Sequence, residues 1–252
     1  MLKPLQFIYT IWLWIVATTA FTSHMLFSHF IAIFFKDREW GYIWATKPFL
    51  KIGFFLLGIR INYKGLENLK KGTPFIIMAN HQSLIDIIVI MVKSPVKINF
   101  IAKEELLKVP VLGWDIRSQG HLTINRSRPR EAMYELEKIG AQLIADNKNL
   151  LFYPEGTRSV DGHIQSFKRG GFMIAVKAGV PIVPCYIKGT GDIINKKRFL
   201  VKPGKVTVCF GEPIPIPLLT DPDAQKVQAR ELQHKVRNAV LSLARKEGYS
   251  LE

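Results

Sequence analysis

From Leu5 to Phe35 the chain runs 31 residues without Asp, Glu, Lys or Arg. As one helix such a stretch reaches about 46 Å against a hydrocarbon core of about 30 Å, so it is long enough to cross a bilayer with tilt, or to enter and bend. Thr22, Ser23, His24, Ser28 and His29 interrupt its second half, which keeps both geometries open. Four of the five tryptophans, Trp12, Trp14, Trp40 and Trp44, fall in the first 44 residues, and indoles favour the water–lipid boundary. A second apolar stretch, Ile52 to Ile59, is too short to span. The length of the first run, with no clear small-residue cleavage site closing it, argues against a removed signal peptide. If it spans, Lys36, Arg38, Lys47 and Lys51 beyond it, against Lys3 before it, put the rest of the chain in the cytoplasm. The expected organisation is a membrane-associated helical segment over 1–60 and one folded domain over 61–252.

Downstream the pattern changes to short apolar runs alternating with amphipathic ones. The runs Pro74 to Ala79, Ile98 to Ala102, Leu122 to Asn125, Leu150 to Tyr153, Ile182 to Ile187 and Val206 to Phe210 read as strands. Leu84 to Val92, Arg130 to Asp146, Gly170 to Ala178 and Asp223 to Lys246 read as helices. This alternation predicts an α/β fold, a mixed sheet layered by helices behind the membrane-anchoring segment. Pro213, Pro215 and Pro217 break regularity before the last helix, whose apolar Val227, Leu232, Val236, Val240, Leu241 and Leu243 form a packing face. Cys185 and Cys209 each sit in an apolar run and form no metal-like pair, so they read as small buried residues in a reducing compartment.

Chemistry concentrates at the ends of the strand-like runs. In Asn80-His81-Gln82-Ser83-Leu84-Ile85-Asp86 an imidazole precedes a carboxylate by five residues. Inside one helix five residues turn about 500°, so the two side chains would point roughly 140° apart and could not meet. They meet only if His81 lies in the turn before the helix and Asp86 reaches back from its first turns. A carboxylate on one ring nitrogen fixes the tautomer, raises basicity and leaves the other nitrogen to take a proton from a hydroxyl. Tyr153-Pro154-Glu155-Gly156-Thr157-Arg158 follows another apolar run, Arg126 ends a third, and Val180-Pro181-Ile182-Val183-Pro184 begins a fourth. Lys103 stands just after a strand, and a glycine at 156 permits close backbone approach at a turn. The sequence has no Gly-x-Ser-x-Gly elbow, so a serine nucleophile of the hydrolase kind is not supported.

These four segments, in this order from Pro74 to Pro184, resemble the blocks of the glycerolipid acyltransferase family, specifically its 1-acyl-sn-glycerol-3-phosphate acyltransferases, which convert lysophosphatidate to phosphatidate. The His-x4-Asp and Pro-Glu-Gly-Thr-Arg blocks are the specific part of the match. The resemblance implies acyl transfer from a thioester to the free sn-2 hydroxyl of lysophosphatidate, with His81 as base and Asp86 as its orienter. It implies that Arg126 and Arg158 serve the acceptor phosphate, as guanidinium groups are suited to do, with Glu155, Gly156 and Thr157 in the substrate-binding block and Lys103 as a further candidate. Lys168 and Arg169 divide evenly between phosphate contact and solvated surface. The second block departs from the family's usual form at Thr123 and Asn125, which bears on acceptor preference, and Tyr153 stands where Phe is usual.

No metal and no resident cofactor are expected; acyl-CoA or an acyl-carrier protein is a co-substrate. The formal net charge of +15 implies attraction to something anionic, whether lipid head groups, phosphorylated substrates, an acidic carrier protein or nucleic acid, and does not choose among them; the resemblance implies membrane phospholipids, lysophosphatidate and an acyl-CoA or acyl-carrier-protein donor. No nucleic-acid recognition motif accompanies it. Other readings are an acyltransferase for another lysophospholipid or for glycerol 3-phosphate, and a catalytically silent membrane-binding protein. The expected location is membrane-bound with the catalytic part facing the cytoplasm.

Overall fold

The computed structural model describes residues 3–34, 38–125, 134–135, 138–139, 142–143, 145–194 and 201–250. Two helices open it, α1 (Lys3–Phe34) and α2 (Arg38–Leu56). There follow β1 (Ile59–Lys64), β2 (Ile76–Ala79), α3 (Asp86–Lys93), β3 (Ile98–Lys103), α4 (Leu112–Ser118) and β4 (Leu122–Ile124). The chain continues through β5 (Asn149–Phe152), α5 (Gly170–Ala178), β6 (Ile182–Lys188), β7 (Gly204–Phe210) and α6 (Pro222–Lys246).

Among the described residues seven strands form one sheet, in the order β1-β7-β6-β2-β5-β3-β4. Every neighbouring pair is parallel except β6 with β7. Five consecutive strands, β6, β2, β5, β3 and β4, therefore run the same way, and their carboxyl ends share one edge. In open α/β sheets that edge is where ligands bind.

Two-residue periodicity sorts the central strands between two cores. Ile76, Met78, Leu150 and Ile182 face α5 and α6, among Phe172, Ala175, Leu232, Val236 and Val240. Ile77, Ala79, Leu151, Val183 and Cys185 face the other layer, with Val89 and Ile90 of α3, Phe54 of α2 and Leu13 of α1. A sheet covered on both faces explains why these strands read as continuous apolar runs rather than alternating ones. Local signals set the helix ends. Asp221 accepts a hydrogen bond from the Ala224 amide at 2.6 Å with Pro222 at the first helical position of α6, and Gly179, with φ 62°, closes α5.

The six expected strands are present, with ends moved by one or two residues. α5 has the expected bounds and α6 begins one residue early. α3 starts at Asp86 rather than Leu84, because Leu84 and Ile85 form the turn that lets Asp86 fold back. The expected helix Arg130 to Asp146 falls largely outside the described residues; 134, 135, 138, 139, 142, 143 and 145 are helical. β1 and α4 were not expected. Ile59, Ile61 and Tyr63 alternate as a strand should, but they follow directly on the apolar run of α2, which hides the change of period.

Candidate active site

β2 delivers its chain to the carboxyl edge at Ala79, and Asn80 fixes the exit. Its side chain is buried and pairs with both main-chain groups of Ile187 in β6: Nδ2 donates to the Ile187 carbonyl at 2.9 Å, and Oδ1 accepts from the Ile187 amide at 2.7 Å. The side chain thus takes the place of a ladder rung just where the backbone must leave the sheet. His81 follows in the turn.

Asp86, at the first position of α3, is wholly buried and reaches back to that turn. Its Oδ2 lies 2.8 Å from His81 Nδ1 and accepts the backbone amides of Gln82 at 2.7 Å and Ser83 at 2.9 Å. Three hydrogen bonds thus converge on one oxygen at the N-terminus of α3. With Nδ1 so engaged, Nε2 is the ring nitrogen left for chemistry.

The turn after β5 closes over the same histidine. Glu155 Oε1 accepts the His81 amide at 3.1 Å, and the His81 carbonyl accepts the Ser159 amide at 2.8 Å. Glu155 is only 2% exposed; burial raises its carboxyl pKa to about 7, with the nearby charges of Asp86 and Asp161 adding to the rise and hydrogen bonds from the backbone at His81 and Gln165 opposing it. The ring of Tyr153 stacks on that of His81, with centroids 4.0 Å apart and planes inclined by 14°. Gly156 has φ 74°, a conformation glycine adopts without strain, and the Lys168 side chain lies against it, 3.1 Å from where a Cβ would stand.

His81, Asp86 and Glu155 are thus joined by direct hydrogen bonds. Thr157 is exposed and Arg158 half-buried in the same turn. Lys103 ends β3, exposed and paired with Glu105 at 2.8 Å. It is two strands from β2 in the sheet order, about 10 Å away at ordinary strand spacing. Arg126 lies outside the described residues. Asn80, Tyr153 and Ser159 hold the site together but were given no role in it from sequence. Asn80 adjoins the histidine, which is a usable signal; nothing in the sequence announces the stack or the Ser159 bond. Beside Gln82 a polar cleft of about 230 Å³ opens between Ser159–Gly162 and Lys188–Asp192. Among the described residues no group of three or more His, Cys, Asp or Glu side chains is placed to hold a metal ion.

The "Acyltransferase" family model matches residues 60–188, a span that contains His81, Asp86 and the whole Glu155 turn. The chain is 33% identical over 215 residues to a 1-acyl-sn-glycerol-3-phosphate acyltransferase of Chlamydomonas reinhardtii, covering 81% of this chain and 61% of that protein. It is 35% identical over 169 residues to the human 1-acyl-sn-glycerol-3-phosphate acyltransferase beta, covering 67% and 61%. It spans about half to two thirds of the length of the curated relatives it matches. The crystal structure of the 1-acyl-sn-glycerophosphate acyltransferase PlsC from Thermotoga maritima is similar over the full length of both chains, with a TM-score of 0.80 and 32% identity.

Proposed function

The chain belongs to the acyltransferase family, and from that premise we propose that it moves an acyl group from a thioester to the free sn-2 hydroxyl of lysophosphatidate, giving phosphatidate. The observation that carries the reading is the His81–Asp86 pair at 2.8 Å, buried on the carboxylate side and open on the imidazole side. His81 Nε2 takes the proton from the acceptor hydroxyl as that oxygen attacks the thioester carbonyl. The tetrahedral intermediate collapses with cleavage of the carbon–sulfur bond, and the thiolate of coenzyme A or acyl-carrier protein leaves with the proton held by His81. No covalent enzyme intermediate is needed. Asp86 stabilises the imidazolium formed in passing.

Arg158, Arg126 and Lys103 serve the acceptor phosphate in this reading, and Glu155, Gly156 and Thr157 shape the turn against which it lies. Lys103 stands on the same edge of the sheet as His81, and the separation of two strands suits a lysine side chain reaching one end of a glycerophosphate whose hydroxyl is at His81. Membrane attachment through α1 and α2 has its own support. Phe7–Phe27 is long and apolar enough to cross a membrane. Phe7, Ile8, Ile11, Trp12 and Ile15 are exposed along one face of α1, with Ile52, Phe55 and Leu56 exposed on α2. If α1 spans, the excess of Lys36, Arg38, Lys47 and Lys51 after the apolar run over Lys3 before it supports a catalytic part facing the cytoplasm.

Purified protein in lipid, given a labelled acyl thioester and equal lysophosphatidate, lysophosphatidylcholine and glycerol 3-phosphate, should place label chiefly in phosphatidate. Label in another product would correct the acceptor, and no transfer to any would reject the reading.

A further inference from the structure

Asp86 holds the His81 ring through a single nitrogen. That bond restrains the ring but does not lock it, because small coupled turns about the Cα–Cβ and Cβ–Cγ bonds tilt the imidazole plane while Nδ1 stays within hydrogen-bonding range of Asp86. The side chain of His81 is 18% exposed while that of Asp86 is fully buried, so one side of the ring meets open space. The near-parallel Tyr153 ring at 4.0 Å narrows that remaining tilt.

Tyr153 is itself anchored. It packs against the core that contains Ile77, Ala79, Val183 and Cys185, and the turn behind it is tied by Gly156 N–H to the Tyr153 carbonyl at 3.0 Å and Lys168 N–H to the Pro154 carbonyl at 2.7 Å. Its hydroxyl is buried with no hydrogen-bond partner among the described residues. Burial, with the Asp86 charge adding to it, holds the phenol pKa well above its ordinary value, so the group stays neutral. An unpaired buried hydroxyl is unfavourable, and so the useful part of this side chain is its flat ring.

We propose that Tyr153 is a positioning residue whose ring holds the His81 imidazole in the plane where Asp86 engages Nδ1 and Nε2 faces the acceptor hydroxyl. The proposal rests on His81 being the base. Tyr153 acts through His81, by packing on its ring.

The test compares Tyr153→Phe, which keeps the ring, with Tyr153→Leu and Tyr153→Met, which replace it by flexible apolar groups. Acyl transfer is measured alongside 15N NMR of histidine-labelled protein in detergent, with His81 assigned by its loss in His81→Asn. The Phe variant should keep kcat within about twofold, while Leu and Met lower it about 10- to 100-fold with KM nearly unchanged, as expected for misaligned reacting groups. The His81 spectrum should show one tautomer, protonated at Nδ1, in wild type and Phe, and a mixture in Leu and Met. Three results would overturn the proposal: full kcat in Leu or Met, a Phe variant as impaired as Leu, or lost activity with the His81 tautomer unchanged. If Leu fails to fold, Met decides. If the wild type transfers nothing to any acceptor, the enzymatic reading fails while the tautomer comparison still decides whether the ring positions His81.

Discussion

Glu155 Oε1 lies 3.1 Å from the backbone nitrogen of His81, so the carboxyl group of the β5 turn holds the histidine of the β2 turn by its main chain rather than by its ring. Two blocks separated by 74 positions meet because β2 and β5 are adjacent parallel strands whose register pairs Ile76 with Leu150 and Met78 with Phe152. That contact gives Glu155 a structural consequence that can be measured apart from turnover.

Buried Glu155 has its pKa raised from 4.5 to about 7. Between those values the folded protein holds a proton that the unfolded chain has lost, so stability falls as pH rises across the window, by an amount on the order of 3 kcal/mol. Glu155→Gln keeps an acceptor for the His81 amide and does not titrate. Its stability relative to wild type should therefore climb between about pH 4.5 and 7 and level off above, as read by denaturant melts across pH. A constant difference would show that Glu155 does not carry the raised pKa.

Asn80→Ala removes both side-chain bonds to Ile187 and leaves that residue's buried amide and carbonyl without the partners Asn80 supplied. The expected loss is about 2–4 kcal/mol, with activity reduced further than stability because His81 is the next residue. Asn80→Asp, which sets a buried carboxylate oxygen against the Ile187 carbonyl, should cost at least as much. Chemical denaturation and initial rates check both.

Ile8 and Ile15 lie on the exposed apolar face of α1. Replacing both with Lys should weaken co-sedimentation with phospholipid vesicles at least tenfold, since a lysine in the membrane costs up to about 3 kcal/mol. The fold of the sheet should be unaffected, as neither side chain belongs to the buried core. Unchanged vesicle binding would mean that this face of α1 does not contact lipid.

The sequence already contained most of the central sheet and the geometry of its most reactive pair. Continuous apolar runs mark strands buried on both faces, and the five-residue spacing of His81 and Asp86 admits contact only with the histidine ahead of the helix, as found. β1 was hidden because its alternation abuts the apolar end of α2. The ties from Glu155 and Ser159 to the His81 backbone were not legible, because they depend on which strands are neighbours and in what register. The Tyr153 stack was missed for the same reason: an aromatic after an apolar run predicts burial but not the ring it faces.

The central claim is that His81, oriented by Asp86, is the base for acyl transfer. Initial rates of phosphatidate formation should be measured for wild type, His81→Ala and Asp86→Asn in the same lipid. The account predicts loss of activity by at least about 10²-fold for His81→Ala, the scale on which general base catalysis contributes, with the chain still folded and membrane-bound. Asp86→Asn should be impaired as well, since it disturbs the tautomer and orientation of the ring. A folded His81→Ala protein that makes phosphatidate at the wild-type rate would contradict it.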